Sequence, residues 1–196
     1  MTEPLKPGAT IGILGGGQLG RMLSVAAARL GYVTHVFEPG ANPPAGHVAQ
    51  RVTTASYEDA EALRAFAAEV DVITYEFENI PTSALDILEA HCPIRPGREA
   101  LRVSQDRLTE KEFLKRLGLE TAPFAAVETR ADLAAAVDAI GAPAILKTRR
   151  FGYDGKGQYR VTTRDDIDAA WRELAGAALI AEEWLDFDYE VSAIGV

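Results

Sequence analysis

Between an apolar segment, Thr10 to Leu14, and a run of helix-forming residues, the chain carries Gly15, Gly17 and Gly20 in the pattern G-x-G-x-x-G. A strand that enters a helix through such a loop belongs to a parallel sheet covered by helices, because a parallel neighbour is reached only by a crossover. The segments that follow keep the alternation. Leu19, Met22, Leu23, Ala26, Ala27 and Leu30 recur at helical spacing on one face, and Gly31 is a helix stop. Val33 to Phe37 predicts a second strand. Ser56 with Asp59 has the spacing of a capping box ahead of a helix carrying Leu63, Phe66 and Ala67, and Val70 to Tyr75 predicts a third strand. Pro81 opens a further helix with Leu85 and Leu88, and Ile94 marks a short fourth strand.

From about Ser104 the character changes. A helix with Leu108, Phe113, Leu114 and Leu117 ends at Gly118 and leads through Pro123 to a strand at Phe124 to Val127, so a domain boundary is placed between residues 103 and 104. Thr129 with Asp132, and Thr163 with Asp166, are two more capping-box patterns. Between them lie a strand at Ala144 to Thr148, a glycine-rich turn and a strand at Gln158 to Val161, which gives a β-α-β-loop-β-α-β order. The chain stops at Val196 inside an apolar segment, Val191 to Val196, that reads as an unfinished strand.

Composition narrows the function classes. No apolar run approaches the roughly 20 residues of a membrane span, and the residues before Ile11 lack the apolar stretch of a secretory signal, so a cytoplasmic protein is expected. A net charge of −9 disfavours binding to a nucleic-acid backbone. Cys92 is the single cysteine and reads as a small buried hydrophobe, and His35, His47 and His91 show no metal-ligand spacing. Trp171 and Trp184 read as packing residues.

The first glycine loop admits more than one chemistry. Its glycines permit close approach of a ligand, the helix N-terminus favours an anion, and Glu38, 23 residues after Gly15, stands where an acidic residue would hold ribose hydroxyls. An NAD(P)-binding Rossmann oxidoreductase is one reading; a loop that only turns the chain, with Glu38 a solvated turn residue before Pro39-Gly40, is another. Glu76 and Glu78 lie two apart after a strand, so one of them faces the cleft, and Glu76 is preferred. A second device lies downstream: Lys147 at a strand end, then Phe151-Gly152-Tyr153-Asp154-Gly155-Lys156-Gly157-Gln158. Such a hairpin exposes backbone N–H groups to phosphate oxygens, and its lysines supply point charges. The alternative is an exposed hairpin with a solvated lysine. A nicotinamide enzyme has no need of this second device.

These blocks carry a resemblance. Ile11 to Met22, Tyr75-Glu76-Phe77-Glu78-Asn79-Ile80-Pro81, Ser104-Gln105-Asp106-Arg107, Lys147-Thr148 and Gly152 to Gln158 stand in an order that resembles the N5-carboxyaminoimidazole ribonucleotide synthetase family of ATP-grasp ligases. The match runs over essentially the whole chain. Formate-dependent glycinamide ribonucleotide transformylase and biotin carboxylase are similar in architecture and are the nearest alternatives.

The resemblance implies an α/β fold: a Rossmann-like, pre-ATP-grasp domain over residues 1–103, the small α+β lobe of an ATP-grasp domain over 104–180, and a hinge with the start of the large lobe over 181–196, truncated before most of that lobe. It implies ATP- and bicarbonate-dependent carboxylation of 5-aminoimidazole ribonucleotide by way of carboxyphosphate, in a homodimer. Arg107 and Lys147 would contact ATP phosphates and the backbone from Gly152 through Tyr153, Asp154, Gly155, Lys156 and Gly157 to Gln158 would close over them. Glu182, Glu183, Trp184 and Leu185 would form the adenine hinge, and Glu190 would accept from the ribose. Gly17, Gln18, Leu19 and Glu76 would contact the aminoimidazole ribonucleotide, with Tyr153, Asp154 and Lys156 reaching it from the loop and Asp154 and Lys156 catalytic. The magnesium ligands of the family would lie beyond residue 196.

Overall fold

The apolar segment Thr10–Leu14 forms β1, with parallel neighbours on both sides, so its last residues must be apolar on both faces. Ile13 packs with Val36 and Ala45 on one face, and Leu14 with Phe37, Phe66 and Ile73 on the other. The structure, a computed structural model, describes residues 4–152, 155–174 and 176–193. The chain divides into two compact units, residues 1–104 and 105–196.

The first unit is a parallel sheet of order β3-β2-β1-β4, with β2 at Val33–Phe37, β3 at Arg51–Thr53 and β4 at Val72–Tyr75. Its helices are α1 (Gln18–Arg29), α2 (Ala60–Ala67), α3 (Thr82–Glu89) and α4 (Arg98–Ser104). The short edge strand β3 and the helix α4 were not expected. The expected fourth strand at Ile94 is a single bridge to Ile73.

Two local expectations are corrected. Of the apolar stripe expected on α1 only Ala27 turns inward: Leu19, Met22 and Leu30 are more than half exposed. The buried residues are Gly20, Ser24 and Ala27, a line of small side chains that lets the helix approach closely, and the Ser24 hydroxyl is satisfied by donating to the Gly20 carbonyl at 2.8 Å. At α2 the cap is Asp59 itself and not Ser56. Its carboxylate accepts from the amides of Glu61 and Ala62, while Ser56 Oγ accepts only from Glu58 N in the turn before it.

The second unit is an antiparallel sheet of order β5-β8-β6-β7, with β5 at Phe124–Val127, β6 at Ala144–Thr148, β7 at Gln158–Val161 and β8 at Leu179–Glu183. Helices α6 (Arg130–Ile140) and α7 (Ile167–Leu174) cover one face, burying Leu133, Val137, Leu146, Ile167 and Leu179. Both capping boxes are present, Thr129 with Asp132 and Thr163 with Asp166. The helix expected from Ser104 is α5, Arg107–Arg116, which starts on an Asp106 cap, buries no residue fully and leaves Leu117 60% exposed. Residues 191–193 carry no strand, and 194–196 lie outside the described residues.

Candidate functional site

An antiparallel sheet with helices on one face leaves its other face for side chains that do something besides pack. In the second unit that face holds a row set by register. Glu182 of β8 pairs with Phe124 of β5 and with Ile145 of β6, and Lys147 lies two residues further along β6 on the same side. Lys147 Nζ meets Glu182 Oε2 at 3.0 Å across this diagonal. A second lysine, Lys111 on α5, reaches the same oxygen at 3.4 Å and lies over the Phe124 ring at 5.7 Å from its centroid. Glu182 is only 6% exposed. Burying a carboxylate this far costs several kcal/mol unless it is paired, so two ammonium groups on one oxygen account for its place there.

Beside this trio the chain leaves β8 and forms one wall of a cavity of about 280 Å³ lined by Ile145, Lys147, Glu182, Glu183, Trp184 and Leu185 among others. The strand end is fixed by two amides, Glu183 N donating to Pro123 O at 2.9 Å and Trp184 N to Pro143 O at 3.2 Å. Trp184 is 39% exposed and not a packing residue; the Arg160 guanidinium stands 4.0 Å from its ring centroid. The cavity is thus lined mostly by apolar side chains, with Lys147, Glu182 and Glu183 as its charged groups, a lining that can take a heterocycle. Glu190 is exposed and outside this lining.

The glycine loop starts where β6 ends. Thr148 N donates to Gly157 O at 2.8 Å, closing the hairpin, and Gly157 has φ +68 with its missing Cβ only 2.6 Å from Thr148 Oγ1, so no side chain fits there. Arg107, at the first turn of α5, donates from Nη2 to Gly152 O at 2.6 Å and from Nε to Thr148 O at 3.2 Å, so it braces the two ends of the turn. Gly155, Lys156 and Gly157 form its return and Gln158 starts β7. Tyr153 and Asp154 lie outside the described residues. Asp106 anchors the approach: its carboxylate caps α5 and takes both oxygens' worth of Arg149 at 3.0 Å. Burial raises its pKa, but Arg149 and the Thr109 and Leu108 amides outweigh that and hold it below the usual carboxylate range.

In the first unit the structure gathers Gly17, Gln18, Leu19 and Glu76 at the N-terminus of α1, with three of the loop's amides, those of Gly16, Gly17 and Gly20, already engaged by carboxylates. Glu76 accepts from Gly17 N at 2.5 Å and from Gly20 N, and Glu38 accepts from Gly16 N and Gly40 N, both at 2.8 Å. Both carboxylates line a cavity of about 340 Å³ with Asn42, Pro43 and Phe77. Burial, then the charges of Glu38 and Glu76, push the Tyr57 hydroxyl well above its ordinary pKa. A dinucleotide fold offers these amides to a pyrophosphate; here they face two fixed negative charges. Glu38 is therefore neither a solvated turn residue nor a free ribose ligand. Among the described residues Glu78 accepts from Asn79 Nδ2 alone, and Glu76 is the carboxylate of the pair that faces the loop.

Sequence reasoning gave no role to Lys111, Asp106 or Arg149, although Asp106 stands in one of the blocks that carry the resemblance. A lysine inside RLTEKEFLKR looks like a solvated helix face, and only the β5–β8 register shows what lies beneath it. Among the described residues no group of three or more His, Cys, Asp or Glu could hold a metal ion.

Comparisons with known proteins agree with the two-unit fold. Residues 8–105 match the ribonucleotide synthetase preATP-grasp domain and residues 112–196 the ATP-grasp domain. The N5-carboxyaminoimidazole ribonucleotide synthase of Brucella melitensis is 52% identical over 192 residues, which is 97% of this chain and 53% of that protein. A crystal structure of an N5-carboxyaminoimidazole ribonucleotide synthetase in complex with ADP superposes with TM-score 0.90 at 41% identity, covering 96% of this chain and 50% of the other. The Aspergillus clavatus N5-carboxyaminoimidazole synthase, in complex with ADP and 5-aminoimidazole ribonucleotide, gives TM-score 0.82 at 34% identity over 93% of this chain and 48% of that one. The chain spans about half the length of the relatives it matches. With both domain patterns in sequence and a fold that follows these structures, the chain belongs to the N5-carboxyaminoimidazole ribonucleotide synthetase family of ATP-grasp proteins.

Proposed function

We propose that the protein containing this chain carboxylates 5-aminoimidazole ribonucleotide at the expense of ATP and bicarbonate, in de novo purine biosynthesis. The observation that carries the reading is the cavity in which Lys147 and Glu182 stand beside the strand end Glu183-Trp184-Leu185. Adenine would lie against the strand end, with Lys147 on the phosphates and the Gly152 to Gln158 backbone over them. Arg107 would serve the same phosphates through the loop that it braces, and Glu190 would accept from the ribose. In the first unit, Glu76, Gly17, Gln18 and Leu19 would take the aminoimidazole ribonucleotide.

The chemistry needs two transfers. A bicarbonate oxygen attacks the γ-phosphorus of ATP and ADP leaves, giving carboxyphosphate. The exocyclic amine of the acceptor then forms a C–N bond to the carboxyl carbon, the C–O bond to phosphate breaks, and the amine gives up a proton. Carboxyphosphate is short-lived in water, so positioning and exclusion of solvent account for much of the rate, and charge neutralisation for most of the rest. Asp154 and Lys156 are the residues assigned to handle this second transfer. Magnesium would supply charge neutralisation when bound; among the described residues no group of three or more His, Cys, Asp or Glu could hold it.

A homodimer and a cytoplasmic location go with the same reading, and no helix among the described residues is long and apolar enough to cross a membrane. The oxidoreductase alternative is not favoured: relatives similar to this chain over nearly all of its length are N5-carboxyaminoimidazole ribonucleotide synthases, and Glu38 and Glu76 already engage the Gly16, Gly17 and Gly20 amides of the loop. Thermal-shift titration separates the two: ATP is expected to raise the melting temperature saturably and NAD to leave it unchanged. A saturable shift with NAD and none with ATP would overturn the proposal.

A further inference from the structure

We infer that Lys111 is a positioning residue whose task is to keep Glu182 neutralised when Lys147 turns to an anionic ligand. The inference rests on the assignment of Lys147 to the ATP phosphates. Its physical basis is that two ammonium groups share a single carboxylate oxygen, Lys147 at 3.0 Å and Lys111 at 3.4 Å, on a residue that is 6% exposed. Neither lysine is freely solvated, with side chains 25% and 16% exposed.

If Lys147 were the sole counter-ion, drawing it toward a phosphate would leave a buried carboxylate unpaired, a state that opposes the movement. With Lys111 in place the carboxylate keeps one partner whichever way Lys147 points. The helix is built for this. Lys111 lies four residues after Arg107 on α5, so the two share a face; Arg107 holds the glycine turn and Lys111 holds the hinge strand through Glu182. The Lys111 ammonium also stands over the Phe124 ring, 5.7 Å from its centroid, a contact that holds it without offering a competing hydrogen bond.

The test is a double-mutant cycle on the full-length protein, read as the dissociation constant of the non-hydrolysable analogue AMP-PNP with magnesium, and with thermal melting as the check on folding. Lys111→Met should weaken binding about tenfold, the scale of a charged hydrogen-bond partner lost. Lys111→Arg, which keeps the charge, should bind within about threefold of the wild type. In a Glu182→Gln background, where no charge is left stranded, Lys111→Met should have less than about a threefold effect. A purely structural lysine would lose the same affinity in both backgrounds and would not be rescued by arginine. Equal losses in the two backgrounds, or an unchanged affinity for Lys111→Met, would overturn the inference and leave the nucleotide reading standing. Absence of any binding by the wild-type protein would overturn both. If Glu182→Gln does not fold, the arginine rescue decides alone: failure of Lys111→Arg to restore binding contradicts the role.

Discussion

The Glu76 carboxylate accepts from the Gly17 amide at 2.5 Å and also from Gly20 N, so the N-terminus of α1 is capped by a side chain from the end of β4 and not by its own Gly17. Removing that acceptor strands two helix-terminal donors. Glu76→Ala should cost about 1–3 kcal/mol in urea unfolding, and Glu76→Gln, which keeps one acceptor oxygen, should cost less. An unchanged urea midpoint for Glu76→Ala would show that water serves these amides equally well.

Gly20 sits where the loop and helix meet, and a Cβ there would lie 2.8 Å from Gly15 O and 3.1 Å from Glu76 Oε2. Ala is favoured over Gly inside a helix by up to about 1 kcal/mol, so propensity alone predicts a stabilised variant. A backbone oxygen cannot swing aside, and overpacking of this kind costs about 1–3 kcal/mol. The clash should win: Gly20→Ala is expected to lower the melting temperature, and a rise would show that the contact relaxes without penalty.

How much of this was legible depended on whether the signal was local. The apolar run Thr10–Leu14 and the two Thr/Asp capping boxes are local and read correctly. The strand β3 is three residues at a sheet edge, too short and too polar to stand out. The periodicity of α1 showed an apolar stripe but not which of its residues turn inward, and Ala27 of that stripe is buried together with the small residues Gly20 and Ser24, which allow closer packing. At the site, the place of Lys147 at the end of β6 was legible from the sequence, whereas the segment after Glu182 was singled out only through the family resemblance. Lys111 was not, because its partner is 71 residues away and only the sheet register brings them together.

His35 is 2% exposed, with Nε2 at 2.8 Å from Thr53 Oγ1 and Nδ1 at 3.4 Å from Glu69. Burial lowers its pKa below the usual 6.5, Glu69 opposes this and Arg51 adds to it. The unfolded chain then binds the proton more readily than the folded one. The stability from neutral His35 is therefore complete above pH 6.5 and is lost as pH falls from there through the folded value. Urea unfolding should show stability dropping over that interval, and His35→Gln should flatten the slope. An equal slope in the variant would assign the effect to other groups.

Lys147 lines the cavity beside the end of β8 and is the one cation in that lining, next to the carboxylates of Glu182 and Glu183. Lys147→Met should weaken ATP binding by about 1.5–3 kcal/mol, the range for hydrogen bonds to charged groups, with the fold checked by circular dichroism. Unchanged affinity in a folded variant would place Lys147 outside the nucleotide site and return Glu182 to a purely structural ion pair.

The central claim is that ATP is spent to carboxylate an amine, and ADP release by the full-length protein tests it most directly. ADP should appear only when bicarbonate and 5-aminoimidazole ribonucleotide are both present, in equal amount to the carboxylated product. ADP release that is indifferent to the ribonucleotide, or reduction of NAD(P) with no ADP formed, would contradict the assignment.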